Sequence, residues 1–349
     1  MQIILAFIAS FIAFSFAGNN KKTQMLLLSV SCIVLTFVAG CRSLDFPDTK
    51  AYIDSFVFYT NNLWTYSIRD VPDGYSDKGF YFLSAVIRTF TSDYRIYLII
   101  ISILTFIFLY KSLKEYSILP LIGLLVYVSR FFIARNMMQI RAALAIAIVV
   151  YSIKYISRQD LKRFLLWTLL ATSIHLSMIL AIPLYWINKI QIDIKKTVIS
   201  LAAAFAIAFF ASPLVRSQVE AWSIQYGIAQ AYTISNATEF TEGLGLLNPM
   251  IYYQTTLLLF FTFYERKIKN KTQYYTIIRS GYLYSTFMLI LFSSFATLSG
   301  RTSTIFATFE ILIIPALIKV FPWKWRFFAY CICGCCLTII FYMNASEWI

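Results

Sequence analysis

A chain of 349 residues that is 60% hydrophobic, with a mean hydropathy of +0.71, carries too much apolar surface for a soluble globule and belongs in a membrane. Its formal net charge of +14 does not point to nucleic acid, because most of the basic residues stand in connections between apolar runs. Anionic lipid headgroups are their natural counterpart there. The fold class expected is all-α, a polytopic membrane helical bundle forming a single domain over 1–349.

Taken in chain order, runs long enough to span a core of about 30 Å fall at ten places. They are 3–18, 25–41, 94–112, 117–133, 137–155, 197–213, 249–264, 276–298, 302–318 and 325–343. No basic residue precedes the first run, and Lys21 and Lys22 follow it. That is the reverse of a secretory signal, so the N-terminus is expected outside. Charge in the later connections places two long polar loops outside, 42–93 and 214–248.

Within the first loop, 47–62 reads as an amphipathic helix lying on the membrane surface. Pro72-Asp73-Gly74 reads as a turn, and 79–90 as an apolar helix too short to cross. The apolar stretch 164–187 has lysines or arginines at both ends that favour the inside, so one crossing would invert everything after it. Two short helices meeting near 173–177 satisfy the charges better than one long span, and they put His175 at the turn. Near the end, Cys331, Cys333, Cys335 and Cys336 lie inside an apolar run without a nearby histidine. They are expected to pack as small apolar side chains, and neither a metal site nor a cofactor is expected.

The cations divide by type. Lysines dominate the inner connections, which is the ordinary positive-inside signal. The outer ends hold arginine almost alone: Arg42, Arg69, Arg88, Arg95, Arg130, Arg135, Arg141, Arg216 and Arg301. Arginine outside opposes the rule and needs a reason, and its planar fork suits phosphate or carboxylate. An anionic ligand at the outer face is the resulting hypothesis.

The densest constellation runs from Arg130 to Arg141 across a connection between spans. Arg135 and Gln139, four apart, would share one helical face. Arg141 would sit inside the following span, where an unpaired guanidinium is costly, so it either holds a phosphate, snorkels, or pairs with a carboxylate. Arg301 at the outer start of a span is a second candidate, with Glu310 further along as a buried partner. His175, the chain's single histidine, is a candidate general base or donor to a developing anion. The acids of the first loop, among them Asp48 and Asp77, could bind a cation, although solvated loop acids are commoner. No phosphate-binding loop, dinucleotide fingerprint, HExxH or Gly-x-Ser-x-Gly pattern occurs.

These residues together resemble the EpsG family of exopolysaccharide proteins, related to the Wzy-type O-antigen polymerases. Arg42 followed by Asp48 and Tyr52 is similar to that family's arginine and Gly-Thr-Asp-x-x-x-Tyr stretch, with Phe46-Pro47 in place of Gly-Thr. Asp77-Lys78-Gly79-Phe80 resembles its Glu-Pro-Gly-aromatic. Ile140-Arg141-Ala142-Ala143-Leu144-Ala145 resembles Ile-Arg-Gln-x-Leu-Ala with the glutamine moved to Gln139. Ala171 to Ser177 matches an Ala-x-x-x-His-x-Ser helix break, and Arg301, Phe306, Phe309 and Pro315 match an arginine before an aromatic-rich span.

The resemblance implies polymerisation of undecaprenyl-diphosphate-linked oligosaccharide repeats at the outer face of a bacterial inner membrane, with undecaprenyl diphosphate leaving. On that reading Arg42, Arg135, Gln139, Arg141 and Arg301 hold the diphosphate, and His175 and Asp48 compete as proton acceptor. Tyr52, Asp77 and Arg130 meet substrate. Expected partners are lipid-linked oligosaccharides, membrane lipid and a protein that sets chain length, with no nucleic acid. The rival readings are a transporter of lipid-linked glycan, and a ligase or a glycosyltransferase using a polyprenyl-phosphate sugar.

Overall fold

The computed structural model describes residues 7, 11, 20–67, 77–226 and 244–346. The expected first span at 3–18 falls almost wholly outside the described residues, as do the Pro72-Asp73-Gly74 turn and 227–243 of the connection 214–248. The architecture is all-helical. Among the described residues, five helices are long and apolar enough to cross a membrane, or seven if two interrupted helix pairs each count as one span. Helices Pro249–Phe263 and Tyr275–Leu291, at 15 and 17 residues, are shorter than those five.

Helix starts follow local chemistry. Asn20, Asp93, Asp160, Asp193 and Asn248 each accept a backbone N–H of the first turn that follows them. Pro120 and Pro249 stand at first-turn positions, where a missing N–H costs nothing. Hydroxyls inside apolar helices return to their own backbone: Thr36 to the Cys32 carbonyl, Thr105 to Ile101, Thr168 to Phe164 and Thr286 to Tyr282, all at 2.8–2.9 Å. Polar side chains are thereby tolerated where no water competes.

The chain divides into two compact units, one running to Ile182 and resuming at Glu310, the other covering Pro183–Phe309. In the first, α1 (Lys21–Gly40) lies against α4 (Tyr94–Tyr116), α4 against α6 (Ile140–Ser157), and α6 against α7 (Leu161–Ile174). Small buried residues on α6, namely Ala142, Ala143, Ala145 and Ala147, leave room for these neighbours. Helix α5 (Pro120–Tyr127) runs without interruption into a π-wound segment, Val128–Met138, ending at Gln139. The connection 42–93 carries α2 (Thr49–Asp54), extended by a π turn Ser55–Tyr59, and α3 (Lys78–Phe90). Both occupy the positions expected of them, and α2 buries Tyr52 while its extension buries Phe56.

The stretch 164–187 is broken where two short helices were expected to meet. Helix α7 ends at Ile174, His175 is extended (φ −152°, ψ 113°), and a short 3-10 turn, Leu176–Ala181, folds against α7.

The second unit comprises α8 (Leu184–Ile187), α9 (Ile194–Phe210), α10 (Ser212–Tyr226), α11 (Pro249–Phe263), α12 (Glu265–Lys269), α13 (Tyr275–Leu291) and α14 (Ala296–Ala307). Helix α13 lies at its centre, touched by α9, α11 and α14. Gly281 lets α13 accept the ring of Phe309, which would stand 2.5 Å from a Cβ added there. The expected span 197–213 ends in an 83° bend at Ala211, so α10 leaves the line of α9. The expected span 302–318 is interrupted at Thr308 and Phe309. Its second half, α15 (Glu310–Ile318), belongs to the first unit with α16 (Trp323–Ala345).

Candidate functional site

The first unit gathers most of the residues singled out in the sequence, and Asp77 is their centre. It stands immediately before α3, with its carboxylate near the end of α7. Arg141 Nη1, from the first turn of α6, donates to Asp77 Oδ2 at 2.7 Å. The backbone N–H of Leu176, just past the break, donates to Oδ1 at 3.0 Å. His175 Nδ1 lies 3.5 Å from Oδ2. Burial pushes the Asp77 carboxyl up, but His175, Arg141 and the Leu176 N–H together outweigh it and hold the group below the usual carboxylate range.

Geometry for this meeting comes from Gly79. A Cβ there would stand 2.6 Å from Ser173 Cβ and 2.8 Å from the Ser173 carbonyl oxygen, so only glycine lets α3 approach the end of α7 this closely. Tyr52 forms a second wall. The Arg141 guanidinium lies over its ring at 5.5 Å, and Tyr52 packs edge-on against Phe80 at 6.2 Å. Behind them Phe56 stacks on Tyr97 at 4.1 Å, and the Tyr97 hydroxyl meets Ser84 Oγ at 3.2 Å.

Arg42 is buried and bonded to backbone. Its Nε donates to Thr49 Oγ1 at 2.9 Å, and its Nη1 donates to the carbonyls of Ala39 and Asn136 at 3.2 and 3.1 Å. These bonds tie the end of α1 and the start of α2 to the π-wound segment. Burial lowers the guanidinium to about 10, opposed by the neighbouring Tyr52 and Tyr97. Asp48 is exposed at the N-terminus of α2, in left-handed backbone at φ 61°.

A second ionic group lies on the π-wound segment. Arg130 Nε faces Glu310 Oε2 of α15 at 3.5 Å, and Glu310 is fully buried. The ring of Phe131 meets the guanidinium groups of both Arg130 and Arg135, at 5.5 and 4.1 Å. Arg135 is buried, whereas Gln139 is exposed, so the two do not share a face as α-helical spacing would have it. The cause is the π winding: the Gln139 N–H bonds to the carbonyl of Ala134, five residues back rather than four. Arg130 and Arg135 accordingly lie within a helix, not in an open connection between spans. Arg301 is half-buried in the second turn of α14, in the second unit, and not at a helix start.

A family model matches residues 25–348, nearly the whole described chain. The chain belongs to the EpsG family. This family includes Wzy-type polymerase-like glycosyltransferases, so the chain is a polysaccharide-polymerase-like membrane protein. No curated protein and no solved structure matches it.

Several contributors to the EpsG site escape a reading of the sequence. Gly79, Ser173 and the Leu176 N–H act through backbone proximity, which leaves no mark in residue type. The pairing of Arg141 with Asp77 had one available signal, the cost of leaving a guanidinium inside a span without a carboxylate.

Proposed function

We propose that this EpsG protein is a polymerase joining undecaprenyl-diphosphate-linked oligosaccharide repeats at the outer face of a bacterial inner membrane, where a chain-length-setting protein is a fitting partner. A sugar hydroxyl of one repeat attacks the anomeric carbon of the other chain's reducing-end sugar. The new glycosidic bond forms as the anomeric carbon–diphosphate oxygen bond breaks, and undecaprenyl diphosphate leaves with the electron pair. His175 takes the hydroxyl proton. In this reading the Nδ1–H tightens onto Asp77 from its 3.5 Å approach, so that Nε2 is the basic atom and Asp77 orients the ring and stabilises the imidazolium that forms. Asp77 is thereby a positioning residue in place of the sugar contact expected for it.

Arg141, fixed by the same carboxylate, sets positive charge beside the histidine where the departing diphosphate gains negative charge. Arg42 and Arg135 add to that field, Tyr52 and Arg130 border the substrate, and exposed Gln139 meets headgroup or sugar. Asp48, the other candidate base, is exposed and has no comparable orienting partner among the described residues.

The observation that carries the reading is one carboxylate engaging both the only histidine of the chain and an arginine, in a member of a polymerase-containing family. Purified protein incubated with lipid-linked repeats should yield a ladder of products. One added unit would make it a ligase or simple transferase, and relocation of lipid without new bonds a transporter. His175→Ala should slow ladder formation by about 10²–10⁴-fold at equal protein level. An undiminished ladder from that variant would move the base to Asp48.

A further inference from the structure

Between the end of α1 and the first turn of α4 lies a cavity of about 460 Å³, lined by Gly40, Cys41, Arg42, Ser43, Tyr94 and Arg95. Neither Asp77 nor His175 lines it. Its cations lack carboxylate partners: among the described residues neither Arg42 nor Arg95 forms an ion pair, and the buried Arg42 Nη2 has no acceptor. Two acids stand close but are otherwise engaged. Asp93 caps α4 by accepting the Arg95 N–H at 2.7 Å, and Asp45 accepts the Ser43 hydroxyl. The capped helix end therefore contributes little, and the positive charge of the cavity is that of its two arginines.

The helices leading away from it are apolar on their outer surfaces. Leu26, Val30, Ile33 and Phe37 of α1 are exposed at helical steps of three and four, and Ile96, Ile103 and Ile107 of α4 are exposed at steps of seven and four. A cationic cup at the head of two apolar stripes matches one kind of molecule, an amphiphile with an anionic head and hydrocarbon tails. The absence of a histidine or carboxylate from the lining argues for a resident molecule over a reactant.

We infer that this cavity binds the phosphate diester of a glycerophospholipid from the surrounding bilayer, with its acyl chains along α1 and α4. Arg42 supplies the buried contact and Arg95 the exposed one, through charge-assisted hydrogen bonds to phosphate oxygens. The inference is independent of the polymerase reading, because it is read out by binding alone.

The full chain in a non-ionic detergent, titrated with phosphatidylglycerol and followed by native mass spectrometry, tests it. Saturable binding is expected, with none for diacylglycerol. Arg95→Gln should weaken it about tenfold, the loss of one charge-assisted bond, while Arg95→Lys should retain most of it. Arg95 is exposed, so these variants should fold as the parent does. Equal affinity in the parent and Arg95→Gln would overturn the assignment. So would inorganic phosphate binding as tightly as the lipid, or a polyprenyl diphosphate binding this cavity more than about tenfold more tightly than phosphatidylglycerol.

Discussion

Asp77 illustrates how few atoms the candidate site needs: two oxygens engage a guanidinium, an imidazole and a backbone N–H. Its lowered pKa means that the folded chain binds this proton more weakly than the unfolded chain does. The resulting stabilisation is fully present above the unfolded value of about 3.9 and is lost as pH falls below it, through the folded value. Asp77→Asn should therefore destabilise the detergent-solubilised protein by about 3 kcal/mol at neutral pH, the lower end of the cost of breaking a buried pair. In thermal melts the gap between parent and variant should narrow progressively as pH falls below the unfolded value. A gap that persists unchanged at acid pH would show that the ionised carboxylate is not the source of the stability.

At the scale of elements, the close approach of α3 to α7 makes a sharper prediction than either helix alone. Gly79→Ala sets a methyl group against Ser173 Cβ and the Ser173 carbonyl, and neither can rotate away. Overpacking of this kind costs roughly 1–3 kcal/mol. Adding Ser173→Ala should fail to restore stability or ladder formation, because the obstructing Cβ and carbonyl remain. Full rescue by the second substitution would mean that only the hydroxyl was in the way. The break at His175 was legible because cations flank 164–187 on both sides and polar residues fall midway along it. The winding of Val128–Met138 was not legible. Nothing in Val-Ser-Arg-Phe-Phe-Ile-Ala-Arg-Asn-Met-Met favours a bond five residues back over four, and tertiary packing decides it. Arg135 and Gln139 were consequently assigned to one face that the folded helix does not have.

For the whole molecule, one sequence shows charge and period but not which distant residues meet. The membrane class, the two helices of the first loop and the gathering of Tyr52, Asp77, Arg141 and His175 within one unit all trace to hydropathy, charge and the ordered family motifs. The partners did not: Arg141 and Asp77 are 64 positions apart, and Arg130 meets an acid from the far end of the chain. A double-substitution cycle checks that second pair. Arg130→Met and Glu310→Leu should each destabilise by about 3–5 kcal/mol, since each leaves the partner's buried charge poorly matched. Arg130→Met with Glu310→Leu should come back close to the parent, to within about 1 kcal/mol, because an apolar pair of similar volume can replace a buried ion pair.

The return of the chain at Glu310 to the first unit also bears on biogenesis. At a synthesis rate of roughly 5–20 residues per second, Arg130 leaves the ribosome on the order of 10–40 s before its counter-ion exists. During that interval the nascent π-wound segment enters the bilayer without Glu310 to offset its guanidinium, at an insertion cost of up to about 2.5–3.5 kcal/mol. Until the final helices emerge, that segment depends on the insertion machinery or on neighbouring helices to shelter its charge.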